Sequence, residues 1–138
     1  MAVVQGPLAP FPNISKVLIS YLEGTAGVPY VDTALPPDEV PLAVQVARVG
    51  GDDDGLTDYP RVEVRTYAPT WEEAEEMAES IRQWLLVLGG EGVEYAPGQV
   101  AVVDFCRTDG PPEDSPYDNP DRVMVPAWYR FGLMRPSR

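Results

Sequence analysis

Sixteen prolines and twelve glycines interrupt this chain of 138 residues, and they limit where helices and strands can lie. Proline lacks a backbone N–H and has a fixed φ, so it disturbs both a helix interior and a central strand. The prolines concentrate in three stretches: near the N-terminus, before Pro41, and between Arg107 and Arg122. We interpret these stretches as long ordered loops and expect the regular elements to lie between them.

Hydrophobic periodicity and capping residues predict two helices. Asn13 is a suitable N-cap for the first helix. Thr70 and Glu73 have the spacing of a capping box at the start of the second, where further glutamates suit the helix dipole. The first helix is expected from Pro12 or Asn13 to about Leu22, ended by Gly24; the second begins at Thr70, places Trp71 on its apolar stripe, and is ended by Gly89 and Gly90.

Alternation of apolar and polar residues predicts four strands. Their expected bounds are Pro41 to Gly50, Arg61 to Tyr67, Gln99 to Arg107 and Arg122 to Met134. The predicted fold is an α+β domain in the order α-β-β-α-β-β, with a four-stranded, mostly antiparallel sheet and two helices packed on one face. Residues 1–138 are expected to form a single domain with long acidic, proline-rich loops at about 23–41 and 108–121.

The net charge of −12 restricts the partners of this chain. A polyanionic protein repels nucleic acid, so tight binding of DNA or RNA is not expected. The same charge suits a protein that DNA passes without adsorbing. Cys106 is the single cysteine, so no intrachain disulfide can form. The N-terminal residues lack a signal-peptide pattern and no long apolar run is present, so we expect a soluble protein made in a cytoplasm, with no membrane partner.

Few residues in the sequence could support catalysis. Histidine is absent, which removes Ser-His and Cys-His nucleophile pairs and every His-ligated metal site. Cys106 lies in an alternating strand and is expected to pack rather than react. No glycine-rich phosphate loop joins a strand to a helix. We therefore expect no enzyme activity, no catalytic residue and no bound cofactor.

The stretch GGDDDGLTD, which begins at Gly50, invites a calcium-site interpretation. With Gly55 at the glycine position of an EF-hand loop, Arg61 falls where the bidentate glutamate should be, so that register fails. Three interpretations remain for Asp52, Asp53 and Asp54. They form a solvated hairpin turn, a divalent-cation site shared between two copies of the chain, or part of an assembly surface.

Aromatic and charged side chains indicate contact surfaces. Trp128 is expected on the opposite face of its strand from Tyr129, where it either anchors a protein partner or lies under a loop. That outer sheet face is expected to carry alternating side chains from several strands: Arg61, Glu63, Arg65, Tyr67, Arg107 and Arg130.

Three segments occur in an order that is familiar: FPNISKVLISYLEG, then PLAVQVARVGGDDDGLTDYPRVEVRTYA, then WEEAEEMAESIRQWLL. Together they are similar to tail terminator proteins of long-tailed, siphovirus-type phages that infect actinobacteria. The strand, glycine pair, acidic turn and second strand from Val44 through Val64 carry the resemblance most clearly. The resemblance spans most of the chain.

The resemblance implies a structural virion protein with an α/β sandwich fold. It implies a homohexameric ring that ends polymerisation of the tail tube, caps the tail and offers a docking surface to the head. The implied partners are copies of itself, the tail tube protein and a head-completion or neck protein, and the implied location is the head-proximal end of the tail.

Closing a ring from copies of −12 each requires that opposite charges meet or that cations bind between copies. The expected interface residues are Arg48, Asp52, Asp53, Asp54, Asp58, Arg61, Arg65, Glu72, Glu76, Trp128 and Arg130.

Two alternatives to the tail terminator function stay open. One is another neck component that joins head to tail, such as a head-completion or adaptor protein. The other is a divalent-metal-dependent enzyme that uses the turn formed by Asp52, Asp53 and Asp54, called the aspartate turn below.

Overall fold

The computed structural model describes residues 6–117 and 119–136. The elements in chain order are α1 (Ile14–Thr25), β1 (Val31–Asp32), β2 (Ala43–Asp53), β3 (Thr57–Ala68), α2 (Trp71–Leu86), β4 (Gly92–Ala96), β5 (Gln99–Gly110) and β6 (Val123–Met134). Within the described ranges, neither helix combines the length and the apolarity that a membrane crossing requires.

Both helices begin where their capping residues predict. The side chain of Asn13 accepts a hydrogen bond from the Lys16 amide at 3.2 Å, and the Thr70 hydroxyl accepts one from the Glu73 amide at 3.3 Å. These contacts satisfy amides that have no partner within the helix. The end predicted for α1 is wrong, because the helix continues past Gly24 and the left-handed φ of +67° occurs at Gly27.

The sheet has six strands in the order β1-β2-β3-β6-β5-β4. β1 runs parallel to β2, and the other neighbouring pairs are antiparallel. The predicted four-stranded, mostly antiparallel sheet is therefore wrong. β1 has two residues and lies inside the proline-rich loop before Pro41. β4 has five residues, begins at Gly92 and ends before a Pro-Gly turn. Segments this short show no readable alternation, which is why the sequence did not reveal them.

The sheet curls around α1. This helix packs with β2 near one edge of the sheet, and the Ser20 hydroxyl donates a hydrogen bond to the Glu94 carbonyl of β4 at the opposite edge, at 3.1 Å. α2 packs on the same side, over β3, β5 and β6. The main core therefore lies between the helices and the concave side of the sheet. It contains Ile14, Val17, Leu18, Leu22, Ile81, Leu85 and Leu88 from the helical segments and Val44, Val46, Val62, Val64, Ala127, Tyr129, Phe131 and Leu133 from the strands.

β2 and β3 form a hairpin that is longer than predicted and ends in the aspartate turn. A register shift between Arg48 and Gly50 bends β2 before the turn. Gly51 has a φ of +102°, and a Cβ at this position would lie 2.1 Å from the Tyr59 carbonyl oxygen. The strand therefore requires glycine here for conformation and for space.

Candidate interaction surfaces

The aspartate turn is bonded mainly to itself. Asp53 accepts a hydrogen bond from the Gly55 amide at 2.9 Å. Asp54 accepts bonds from the Leu56 and Thr57 amides at 2.9 and 2.7 Å, and the Tyr59 hydroxyl donates to its second oxygen at 2.9 Å. These bonds, those from the backbone amides above all, lower the pKa of Asp54 below its usual range. Two of the three consecutive aspartates therefore stabilise the turn that contains them.

The hydrogen bonds of the aspartate turn affect whether it can bind a divalent cation. Among the residues that the structure describes, no group of three or more histidine, cysteine, aspartate or glutamate side chains is placed to hold a metal ion within one chain. A cation site that Asp52, Asp53 and Asp54 complete with a second copy stays a prediction. Such a site has to compete with the turn's own amides for the oxygens of Asp53 and Asp54.

Arg48 and Asp58 form a paired contact within the chain. The two guanidinium nitrogens of Arg48 lie 2.7 and 2.9 Å from the two carboxylate oxygens of Asp58, which is 4% exposed. Arg48 also donates to the Gly50 carbonyl at 3.1 Å, and the bond to Asp58 raises the pKa of Arg48. This bidentate pair joins the two strands of the hairpin beside the start of α1. Both residues were expected to contact a neighbouring copy, but within one copy each already has the other as its ion-pair partner.

Four arginines lie on the convex side of the sheet, away from the helices. Arg61 of β3 stands directly across from Arg130 of β6, and Arg130 stands across from Arg107 of β5. Arg65 lies further along β3 and pairs with Glu63 at 2.9 Å. We call the surface formed by Arg61, Arg65, Arg107, Trp128 and Arg130 the arginine face.

Few carboxylates neutralise the arginine face. Asp109 lies 2.6 Å from Arg61 and 3.9 Å from Arg130, and the bond from Arg61 lowers the pKa of Asp109. Among the described residues, no carboxylate forms an ion pair with Arg107, whose guanidinium lies 5.8 Å from the centroid of the Phe105 ring. The Nε of Arg130 is buried and has no hydrogen-bond partner within the described part of the chain.

Trp128 lies in the middle of the arginine face, and Tyr129 points into the core on the other side of the strand, as predicted. The guanidinium of Arg61 lies 5.8 Å from the centroid of the Trp128 indole. Gly110 lies beneath the ring, and a Cβ at this position would be 2.8 Å from an indole carbon. The indole is half-buried by these contacts within the chain, and the rest of it faces outward.

One end of the convex side is covered. Tyr67 was expected on the open outer face of the sheet, but it is fully buried beneath Tyr117, with ring centroids 5.4 Å apart. Tyr117 belongs to the proline-rich connection between β5 and β6, residues 111–122. Its hydroxyl donates to the Gln45 side chain at 2.9 Å. The expectation of an exposed Tyr67 is therefore wrong, because a loop that is remote in sequence lies over it.

Arg122 holds in place the loop that covers Tyr67, and this residue was not identified from the sequence. The residue is 3% exposed, and its guanidinium donates to the carbonyls of Pro36 and Pro37 at 2.9 and 3.1 Å. It also lies 4.8 Å from the centroid of the Tyr67 ring and donates to the Tyr117 hydroxyl at 3.2 Å. The only signal in the sequence was an arginine at the start of a strand that follows a proline-rich loop with one tyrosine.

The first turns of α2 form a second charged surface. Glu72, Glu73, Glu75 and Glu76 are exposed there. Trp71 is 40% exposed, so its predicted place in the buried stripe is wrong; burial of the helix begins one turn later, at Ala74. The carboxylate of Asp114 lies close enough to raise the pKa of Glu75. We call Trp71, Glu72, Glu73 and Glu76 the acidic edge.

An apolar groove of about 520 Å³ runs beside the acidic edge. Its lining consists of four apolar residues, Pro41, Leu42, Pro69 and Met77, and three polar ones, Glu73, Glu76 and Ser80. The groove therefore combines apolar contact area with negative charge.

A second groove, also of about 520 Å³, lies between the C-terminal ends of the two helices. The Tyr21 hydroxyl donates to the Trp84 carbonyl at 2.7 Å and ties the helices together there. Trp84 and Val87 are 41% and 60% exposed beside it, and Glu91 and Glu94 lie at its margin.

Cys106 packs against the core, as its place in an alternating strand predicts. Burial raises the pKa of its thiol to about 12, so little thiolate is present at neutral pH. This position carries no sign of nucleophilic chemistry.

Comparison with known proteins gave a family match and matches among solved structures. The family described as phage tail termination protein matches residues 10–138. Among solved structures, a chain from the virion of a native gene transfer agent (GTA) particle is similar in fold, with a TM-score of 0.55 and 11% sequence identity over 84% of each chain. At this identity the structural match shows the fold alone. None of the curated proteins matches the chain.

Proposed function

Since this chain belongs to the phage tail termination protein family, we propose that six copies of it form a closed ring on the head-proximal end of the tail tube. The ring ends polymerisation of the tube and presents the surface on which the head docks. The observation that carries this proposal is the family match, which runs from residue 10 to the last residue of the sequence.

Family membership confirms the sequence-based interpretation at a coarser level: the chain is a viral structural protein of the phage tail and virion. Members of this family are structural proteins, which supports the expectation that the chain is not an enzyme. The proposed host range, actinobacteria infected by long-tailed phages, rests on the sequence resemblance described above.

The proposed partners follow from the position at the junction of tail and head. Copies of the chain contact one another, the tail tube protein contacts one side of the ring, and a head-completion or neck protein contacts the other. Assembly takes place in the host cytoplasm. The similarity to a chain of a GTA virion supports assembly with other particle proteins. DNA passes through the ring without specific binding, since a net charge of −12 per copy disfavours adsorption.

The proposal can be tested by examining tails that are assembled in the absence of this protein. A phage with a nonsense mutation in the gene is expected to give tubes of uncontrolled, excessive length in negative-stain images. Tails of normal length beside unattached heads would instead identify a head–tail joining or adaptor protein. The mass of the purified chain by light scattering is a second measure, with six times 15.1 kDa expected for the ring.

The proposed cation site between copies has its own test. Asp52→Ala/Asp53→Ala/Asp54→Ala is expected to keep the fold and to change ring formation or its response to magnesium and EDTA. Asp53 and Asp54 also bond to their own turn, so Asp52→Ala is the milder companion variant. Unchanged oligomerisation in both variants, with magnesium or with EDTA, would exclude cation binding at this turn.

A further inference from the structure

We propose that the arginine face of one copy packs against the acidic edge and the adjoining groove of the next copy. This inference rests on the proposed ring and specifies which two surfaces meet in it. It selects Arg61 and Arg130 on one side and Glu72 and Glu76 on the other from the wider set of expected interface residues, and it adds Arg107, which that set did not include.

Within the described part of the chain, the arginine face has fewer carboxylates than arginines. It holds four of the ten basic residues of a chain whose net charge is −12. Two carboxylates, Glu63 and Asp109, pair with arginines there. Because no described carboxylate forms an ion pair with Arg107, a partner that covers this face should bring oxygen acceptors.

The acidic edge has the complementary composition. Its glutamates are exposed, and Arg82, the first basic residue of α2, already pairs with Glu79 at 3.6 Å. Trp71 and the groove beside it supply apolar area for the indole of Trp128. A surface with both carboxylates and apolar contact matches a face built of arginines around a tryptophan.

The fold places these surfaces on opposite sides of the molecule. α2 packs on the concave side of β3, β5 and β6, and the arginine face is the convex side of the same three strands. One copy therefore cannot bring its own two surfaces together. Contact between copies joins two different patches, and such a heterologous contact closes a ring when its rotation allows.

Four of the other charged candidates are occupied within the chain. Arg48 and Asp58 satisfy each other, and Asp53 and Asp54 accept bonds from their own turn. Recruiting these residues to a neighbour would require that an existing bond be broken. On the proposed surfaces Arg61 and Arg65 are also paired, with Asp109 and Glu63, but Arg107, Glu72 and Glu76 form no ion pair within the described residues.

Charge reversal on the full-length chain tests the contact. Arg61→Glu/Arg107→Glu and Glu72→Lys/Glu76→Lys are each expected to lower the mass measured by light scattering from that of the ring to that of one copy. A mixture of the two variants should recover the ring, because each then meets the opposite charge of the other on both sides. A single chain with all four changes should recover it as well.

Matched controls separate this contact from general charge effects. Lys16→Glu and Glu91→Lys reverse exposed charges away from both surfaces and should leave the mass unchanged. Circular dichroism checks that each variant is folded. If the reversal variants fail to fold, Arg61→Gln/Arg107→Gln and Glu72→Gln/Glu76→Gln replace them, with partial dissociation expected. Raising the salt from about 0.1 M to about 1 M should also weaken the wild-type ring.

The outcomes distinguish this inference from the proposed function. A ring whose mass is unchanged by both reversal pairs would overturn the contact and leave the ring intact as a proposal. A wild-type chain that remains a single copy, both alone and on purified tail tubes, would overturn both. Binding of duplex DNA that Arg61→Glu/Arg107→Glu abolishes, with an unchanged mass, would assign the arginine face to DNA instead.

Discussion

The two acidic loops of this protein are held by different means. The aspartate turn of the β2–β3 hairpin uses its own carboxylates to bind its own amides, over spacings of two and three residues. The proline-rich connection before β6 is instead fixed by Arg122, which reaches carbonyls of Pro36 and Pro37 that lie 86 and 85 residues away in sequence. Both loops are rich in aspartate, so composition alone does not reveal how a loop is ordered.

The difference shows what each loop can tolerate. In the aspartate turn the stabilising bonds are short-range, so a lost side chain leaves the rest of the turn largely in place. In the proline-rich connection one guanidinium links two loops and the Tyr67 ring, so its loss removes several long-range contacts at once. The four predictions below test that contrast.

Arg122→Met should have the largest effect. The variant keeps an apolar side chain but leaves the buried Pro36 carbonyl unpaired and removes one of the two bonds to the Pro37 carbonyl. We expect it to lower the free energy of unfolding by about 3 kcal/mol. Urea unfolding followed by tryptophan fluorescence measures the change. Lys16→Met, an exposed control, should stay within about 0.5 kcal/mol of wild type. Equal losses in the two variants would show that Arg122 does not hold the loops.

Gly51→Ala should have the next largest effect, and it tests the hairpin that carries the aspartate turn. A methyl group at this position meets the Tyr59 carbonyl and also requires an unfavourable φ, so we expect a loss of about 2 kcal/mol or more. Gly55→Ala is the matched control, since its φ of +88° is comparable but its Cβ would meet nothing within 4 Å. It should cost about 1 kcal/mol. Thermal unfolding compares the two, and a larger loss in the control would contradict the assigned contact.

Tyr117→Phe should weaken the cover over Tyr67 modestly. The ring that packs on Tyr67 is kept, and one acceptor for the Arg122 guanidinium is removed. We expect a loss of about 1 kcal/mol in urea unfolding, below that of Arg122→Met. In a double variant the two losses should not add, because both changes act on one network. Full additivity would mean that Tyr117 and Arg122 act independently.

Asp54→Asn should have the smallest effect, and this effect should depend on pH. The folded pKa of Asp54 lies below its unfolded value, so its charge stabilises the fold above the unfolded pKa of about 4. That contribution is lost as the pH falls through the folded pKa. The small stability difference between wild type and variant should therefore be present at pH 7 and disappear in acid. A difference that grows on acidification would show that the carboxylate bonds are not what stabilises the turn.

The elements predicted well are those whose signals are local. The N-caps Asn13 and Thr70, the stripe from Ala74 to Leu85 and the alternation of β3 all depend on neighbours a few residues apart. Strands β1 and β4 were missed because each is too short to show a period and becomes a strand only by pairing with a longer neighbour.

The candidate surfaces divide in the same way. Alternation alone placed Arg61, Arg65 and Trp128 on one face of the sheet, as the structure shows. Sequence reasoning could not predict that Asp58 forms an ion pair with Arg48, or that Tyr67 lies beneath a loop. Those facts depend on which distant groups come within bonding distance after folding.

The sequence by itself determined the two helices, the acidic hairpin and the sides on which the residues of β3 and β6 point, because 3.6-residue and two-residue periods are properties of local order. Only the tertiary structure decided which charges remain free. A carboxylate or guanidinium is neutralised by whatever lies within a few ångströms of it, and for Arg122 those groups are brought together from distant parts of the chain.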